Sequence, residues 1–288
     1  MIGSIVIRKL SFPCIIGSVI ILFLVSCTLL SAQSTPAETF PITPTFLSSP
    51  LPTMDSIEAL KYAENLFLTN GGCRLPCWWG VEPGKTGWNE AKRFLTTFIK
   101  RIGQGESLTI TEGGETYFTT NYSAYFDVNN HEEEGRIIFD LKNEIVSVIT
   151  VDPVGTELTY TLPQLLTVYG KPKDVYILTY QNSPFPFIPF YLFLFYPDQG
   201  ILAYYELEAQ RNGEDVEACA LDKGPELWLW STQLEYDFWT FEKVIVGTDV
   251  PILKPIGSVT DLDVESFYSI YSQASAPPCL RTEAVLWP

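Results

Sequence analysis

The stretch Cys73-Arg-Leu-Pro-Cys-Trp-Trp-Gly-Val-Glu-Pro-Gly-Lys-Thr86 constrains this chain more than any other. Two cysteines, two adjacent tryptophans, two prolines and two glycines within fourteen residues restrict the backbone and bring a large apolar load to one place. The stretch delivers the chain into the clearest amphipathic helix of the sequence. Trp88, Ala91, Leu95, Phe98 and Ile102 recur at alternating intervals of three and four, with Asn89, Lys92, Arg93, Thr96 and Lys100 on the other side. Thr86 is the expected N-cap of this helix and Gly103 its expected stop.

The rest of the composition bounds what surrounds that start. At 288 residues, with 46% hydrophobic and 14% aromatic content, the chain can bury one substantial core or two smaller ones sharing an interface. Acidic residues outnumber basic ones by 34 to 18. A surface this negative repels phosphate backbones, which excludes nucleic acid as a partner.

The N-terminus reads as an export signal. Arg8 and Lys9 precede an uncharged, strongly apolar run that ends in Leu24-Val25-Ser26-Cys27. That order resembles the bacterial lipobox, in which the cysteine is acylated and becomes the mature N-terminus, so Cys27 is the expected lipid attachment. A plain secretory cut near Ser31-Ala32-Gln33 and an uncleaved membrane anchor are the alternatives. All three place the domain outside the cytoplasm, either anchored to the membrane or secreted. Residues 28–53 contain 15 Ser, Thr or Pro among 26, a composition that stays extended and serves as a tether. The expected organisation is a signal peptide over 1–26, a tether over 27–53, a first unit over 54–155 and a second over 156–288 with a C-terminal helical extension.

In the first unit, Asp55-Ser-Ile-Glu58 has capping-box spacing, and Ile57, Leu60, Ala63 and Phe67 predict a helix stopped by Asn70-Gly71-Gly72. Beyond the helix after Thr86, the alternation of Tyr122, Ala124, Phe126 and Val128 with Ser123, Tyr125 and Asp127 predicts a strand. Residues 135–141 and 145–151, joined through Lys142-Asn143, predict a hairpin. The second unit repeats the plan. Thr161-Leu-Pro-Gln164 opens a short helix closed by Gly170-Lys-Pro172, and strands are expected at 175–180, 191–196 and 201–207. Leu234, Phe238, Phe241 and Ile245 suggest a further helix, and a last one is expected from Asp261 to Tyr271. The fold class is therefore α+β, with helices packed on antiparallel sheets in two tandem helix-then-strands units.

Two resemblances accompany this order. Glu82-Pro-Gly-Lys-Thr86 before a helix and Tyr169-Gly-Lys-Pro172 after one resemble the punctuation of SmpA/OmlA-type bacterial lipoprotein modules, whose layout is shared by β-lactamase-inhibitor-like domains. The Cys-x-Leu-Pro-Cys-Trp-Trp-Gly stretch resembles a family of exported bacterial proteins. What these resemblances imply is a scaffold or binding module at the cell surface, and they carry no functional residue onto this chain.

Catalytic signatures are sparse. The single histidine, His131, sits in His-Glu-Glu-Glu-Gly, without the second histidine of a zinc protease site. Gly80 to Thr86 is one residue short of a phosphate-binding loop, and Asp261-Leu-Asp263-Val-Glu265 lacks the glycine and the final glutamate of a calcium loop. No cofactor or metal is expected. Outside the leader four cysteines remain, and the exported context favours disulfides. Of the three pairings, Cys73–Cys77 with Cys219–Cys279 is the favoured one. Trp78 and Trp79 are candidates either for partner or ligand contact by stacking or for a buried plug. Residues 185–196, with seven aromatics and no charge, feed a buried strand or form a partner-binding edge.

The expected function is that of a non-enzymatic binding or scaffold module at the envelope, whose partner is an envelope protein or a glycan. The rival is a glycan-acting hydrolase using paired carboxylates. A redox factor would need Cys73 or Cys77 partly exposed beside Arg74.

Overall fold

The structure, a computed structural model, describes residues 53–110, 116–126, 135–152, 160–219, 223–234, 236–238, 241–242, 245, 252–273 and 278–288. The leader with Cys27, the tether up to residue 52, Asp127, Val128 and His131 lie outside these residues.

One antiparallel sheet of eleven strands dominates. In the first half, helices α1 (Ser56–Thr69) and α2 (Trp88–Leu95) precede strands β1 (Arg101–Ile110), β2 (Thr116–Phe126), β3 (Gly135–Lys142) and β4 (Ile145–Val151). Helix α3 (Leu162–Tyr169) then precedes β5 (Asp174–Thr179), β6 (Ile188–Tyr196), β7 (Ile201–Asn212), β8 (Asp215–Ala218) and β9 (Glu226–Trp230). The chain ends with β10 (Lys254–Pro255), helix α4 (Val264–Tyr271) and β11 (Leu280–Glu283).

The strand order is β1-β2-β3-β4-β9-β7-β6-β5-β10. Strand β9 inserts between β4 and β7, so the sheet runs without a break from the first half into the second. Strand β7 is the fork. Its first residues pair with β9, while Ala209 to Asn212 pair along the same edge with β8, which in turn pairs with β11. The burial pattern follows this geometry. Ile201, Leu202 and Ala203 are buried on both faces, whereas beyond Tyr205 the strand alternates buried Leu207 and Ala209 with exposed Glu206, Glu208 and Gln210.

The register assigns each side chain to a face. Tyr122, Ala124, Phe126, Ile137, Phe139, Ile149, Val151, Leu227, Leu229, Ala203, Tyr205, Leu192, Leu194, Val175 and Ile177 share one face. Helices cover it. Trp88 of α2 stacks on Tyr122 at 4.2 Å, Phe67 of α1 meets Phe126 at 4.8 Å, and the Tyr196 hydroxyl donates to Gly170 O behind α3. Helix α4 packs on α3, where Thr167 Oγ1 donates to Ser272 O.

Several expectations need correction. The helix after Thr86 spans only Trp88–Leu95 and is capped at Gly87. Thr86 instead accepts from Glu82 N through its hydroxyl, bracing the turn before the helix. Thr97 Oγ1 donates to Phe94 O where the helix ends. Phe98 stays buried in the turn, while Ile102 and Gly103 already belong to β1. In α1, Asp55 accepts from Ile57 N and Glu58 N as an N-cap should, but Ile57 is 66% exposed and Leu66 takes its place in the core. The hairpin turn is Asn143-Glu144, both with positive φ, as a two-residue turn between twisted strands requires. The C-terminal tail has more structure than its sequence suggests, since β11 joins the sheet and Trp287 is buried. Phe238, Phe241 and Ile245 have helical backbone, and Leu234 lies in the bend before them.

Candidate binding face

The stapled stretch is a structural hub. Cys73 is bonded to Cys77, and Cys219 to Cys279. Asn70, the left-handed residue ending α1, is buried and clamps the short loop. Its Nδ2 donates to Cys73 O and Cys77 O at 2.9 and 2.8 Å, and its Oδ1 accepts from Trp79 N at 2.9 Å. Leu75 N donates to the Tyr169 hydroxyl, which joins the loop to α3. Burial and the neighbouring Tyr169 push the Tyr160 hydroxyl, which receives Asn70 Nδ2 at 3.4 Å, well above the usual phenol range.

Trp78 and Trp79, considered above as a stacking platform, are 0% and 3% exposed. Their rings pack on each other and on Phe67, and Trp79 also meets Phe98 and Phe126. They are the plug between the helices and the sheet, out of reach of a partner. Both cysteines of the short loop are half-buried, as a redox role would require, but the Arg74 guanidinium donates to Val168 O and lies over the Tyr169 ring. Residues 188–196 form β6, paired on both sides, so this part of the aromatic run is interior strand rather than an edge, with Tyr191 half-buried and Phe185, in the loop before it, 62% exposed. Asp263 caps α4 by accepting from Ser266 N, and Glu265 pairs with Lys171. Glu217 lies near Cys219 and Cys279, but those sulfurs are bonded to each other, and its carboxylate accepts from Asn212 and Arg281.

The chemistry gathers on the other face of the sheet. Part of that face is covered by Phe238, which stacks on Tyr176 at 3.8 Å, and by Phe241, which packs on Trp228 and Trp230. One row of neighbours, running partly beneath this cover at Phe193, crosses most of the sheet. Arg101 stands opposite Tyr125, Tyr125 opposite Arg136, and Asp152 N donates to Arg136 O. The pairing of Val151 with Leu227 sets Asp152 beside Glu226, and Glu226 stands opposite Tyr204, which stands opposite Phe193. In the next row Glu206 stands opposite Tyr191.

The row is polarised. At the β1–β3 end the Arg101 guanidinium lies 3.5 Å from the Tyr125 ring centroid, and Arg136 reaches Asp152 at 3.7 Å. At the β9–β7 end carboxylates and rings collect. Trp228 Nε1 donates to Glu226 Oε1 at 2.6 Å, Tyr191 and Tyr204 lie 5.7 Å apart, and Tyr204 stacks on Phe193 at 4.8 Å. Tyr191, Tyr204, Glu226 and Trp228 are half-buried, and Glu206 is exposed. Burial holds the Glu226 carboxyl above the usual carboxylate range. The Trp228 indole works against this, whereas Asp152 and Glu206 add to it. Burial likewise raises Tyr191 and Tyr204, with Glu206 the largest charge acting on both.

Two surface clefts lie elsewhere. One, of 250 Å³, runs between α1 and residues 96–100. The other, of 460 Å³, is lined by Gln181, Asn182, Arg211, Glu214, Glu283 and Val285, but Arg211 is held by Gly213 O and Gln181 O. Neither combines aromatic rings with carboxylates as the open face does.

Of this face, sequence reasoning singled out only Tyr191, within residues 185–196, and missed Tyr204, Glu206, Glu226 and Trp228. The face's signal is the alternation Glu226-Leu-Trp-Leu-Trp230, in which Leu227 and Leu229 enter the core while Glu226 and Trp228 stay half-exposed. No family model matches the chain, and neither the curated proteins nor the solved structures yield a match.

Proposed function

We propose that this chain is an extracytoplasmic binding or scaffold module, held at the cell envelope through a lipid on Cys27 and acting without catalysis. The observation that carries this reading is the asymmetry of the sheet. Helices cover one face, while the other keeps Tyr191, Tyr204, Glu206, Glu226 and Trp228 within reach of solvent. Aromatic rings with a polar tip suit recognition, since each offers apolar area and a hydrogen-bonding group together. Two tandem helix-then-strands units, 54–155 and 156–288, fused through β4 and β9, would explain why a single face extends over so many strands. The SmpA/OmlA-type resemblance points to the same class of module.

A photo-crosslinking residue placed at Tyr191 or Glu206 in intact cells should trap an envelope component. The same residue at Val168, exposed on α3, should not. Equal trapping at both positions would contradict the reading. For the anchor, Cys27→Ser should release the protein from the membrane fraction. A variant that remains membrane-bound and still runs at its processed size would rule out lipid attachment.

A second reading, hydrolysis of glycans by paired carboxylates, draws on one observation. Glu226 is a carboxyl that burial holds above the usual carboxylate range, with Asp152 and Glu206 as the neighbouring acids, and that is the pattern of a general acid and its partner. Under it, Glu226→Gln would abolish release of reducing sugar from cell-wall glycan. Under the binding reading there is no such release to abolish.

A further inference from the structure

The open face has a definite electrostatic character where its rings are most accessible. Glu206 and Glu226 stand directly opposite Tyr191 and Tyr204, and Asp152 lies beside Glu226. Two cations of these strands and their neighbours are already engaged, Arg136 with Asp152 and Lys223 with Glu208. An anionic ligand would meet three carboxylates here. A neutral one would leave their mutual repulsion as it is. A cation, by contrast, would sit against the negative faces of the tyrosine and tryptophan rings and relieve that repulsion at once.

The protein itself shows this geometry at the other end of the same row, where the Arg101 guanidinium lies over the Tyr125 ring at 3.5 Å. The β9–β7 end repeats the ring and adds carboxylates, without a guanidinium of its own among the described residues over Tyr204 or Trp228.

Resting on the binding-module reading, we infer that the block Tyr191, Tyr204, Glu206, Glu226 and Trp228 is a docking surface for a basic protein segment, whose arginine or lysine side chains lie across these rings between the carboxylates. Arginine suits the site better than lysine, because a planar guanidinium stacks on a ring and still donates to a flanking carboxylate.

The test uses the full-length protein in detergent and a three-arginine peptide, compared with its citrulline counterpart, which has the same shape but no charge. Isothermal titration at low salt should show the arginine peptide binding at least tenfold more tightly. The variant Glu206→Gln/Glu226→Gln should lose that preference. The variant Glu90→Gln/Glu265→Gln removes the same charge from the helical side and should keep it. Equal binding of the two peptides, or no binding of either, overturns the inference, as does a preference that survives in the first variant or is lost equally in both. Equal binding combined with crosslinking at Tyr191 leaves the face as a binding surface and rejects only the cationic partner, with neutral glycans next to be titrated. Loss of crosslinking specificity rejects the face itself.

Discussion

Asn70 joins the end of α1 to the stapled loop with a single buried carboxamide. Its three short hydrogen bonds, to Cys73 O, Cys77 O and from Trp79 N, leave backbone groups without partners if the side chain is removed. Asn70→Ala should therefore cost about 3 kcal/mol, measured by urea unfolding, because unsatisfied buried polar groups cost about 1–3 kcal/mol each. A loss below about 1 kcal/mol would mean that the loop holds itself. Glu226 gives the opposite sign. Its folded-state carboxyl titrates above the unfolded one, so its contribution is fully present below the unfolded value and is lost as pH rises through the folded one. Arg136, Trp228, Asp152, Glu206 and Tyr204 are the groups that face it. Glu226→Gln should accordingly stabilise the protein near neutral pH, and the gain should vanish near pH 3, as thermal melts across that range would report. A constant gain at every pH would contradict burial of the charge as its origin. At this scale the sequence was informative about type and silent about partner. Asn-Gly-Gly reads as a helix stop, but nothing local says that the asparagine turns inward onto a disulfide loop.

Helix α2 shows where an element can and cannot be read. Trp88, Ala91 and Leu95 form its buried stripe, and Leu95 is fully enclosed. Leu95→Ala should cost about 2 to 5 kcal/mol by denaturant titration, and a change within about half a kcal/mol would place the stripe outside the core. The apolar period runs on through Phe98 and Ile102 although the helix has ended, because burial against the sheet continues while the hydrogen bonding changes. Periodicity records which side chains face the core, not which carbonyl each amide meets. The C-terminal tail errs in the other direction. Its four-residue strand β11 is too short to show a period, yet it pairs with β8 directly beside the Cys219–Cys279 bridge. Removing the bridge by Cys279→Ser should lower stability by about 4 kcal/mol on the chain-entropy estimate for its 60-residue separation. Hydrogen exchange should quicken at residues 280–283 while the β3–β4 amides stay protected from local opening. Unchanged exchange at β11 would show that strand pairing alone secures the tail.

Across the whole molecule, the decisive feature is the insertion of β9 between β4 and β7. Helices alternating with strands were readable, and so was an antiparallel arrangement. The seam was not, because pairing between residues 148–151 and 227–230 is set by tertiary contact and leaves no local signal. The open face depends on that seam. Without β9, Glu226 and Trp228 would not stand beside Tyr204 and Asp152, and the row that begins with Arg101 over Tyr125 would stop at β4. The stapled loop, prominent in sequence, proves to be the support of the fold, while of the accessible chemistry only Tyr191, within the aromatic run 185–196, stood out in the sequence. The most direct measurement is hydroxyl-radical footprinting of the protein in its native envelope and after purification, read residue by residue by mass spectrometry. Tyr191, Tyr204 and Trp228 should oxidise readily in the purified protein and be protected in the envelope, with Val168 and Ile270 on the helical side equally reactive in both. Unchanged reactivity of the three aromatics, or protection confined to the helical side, would contradict the assignment of the open sheet face as the surface through which this protein acts.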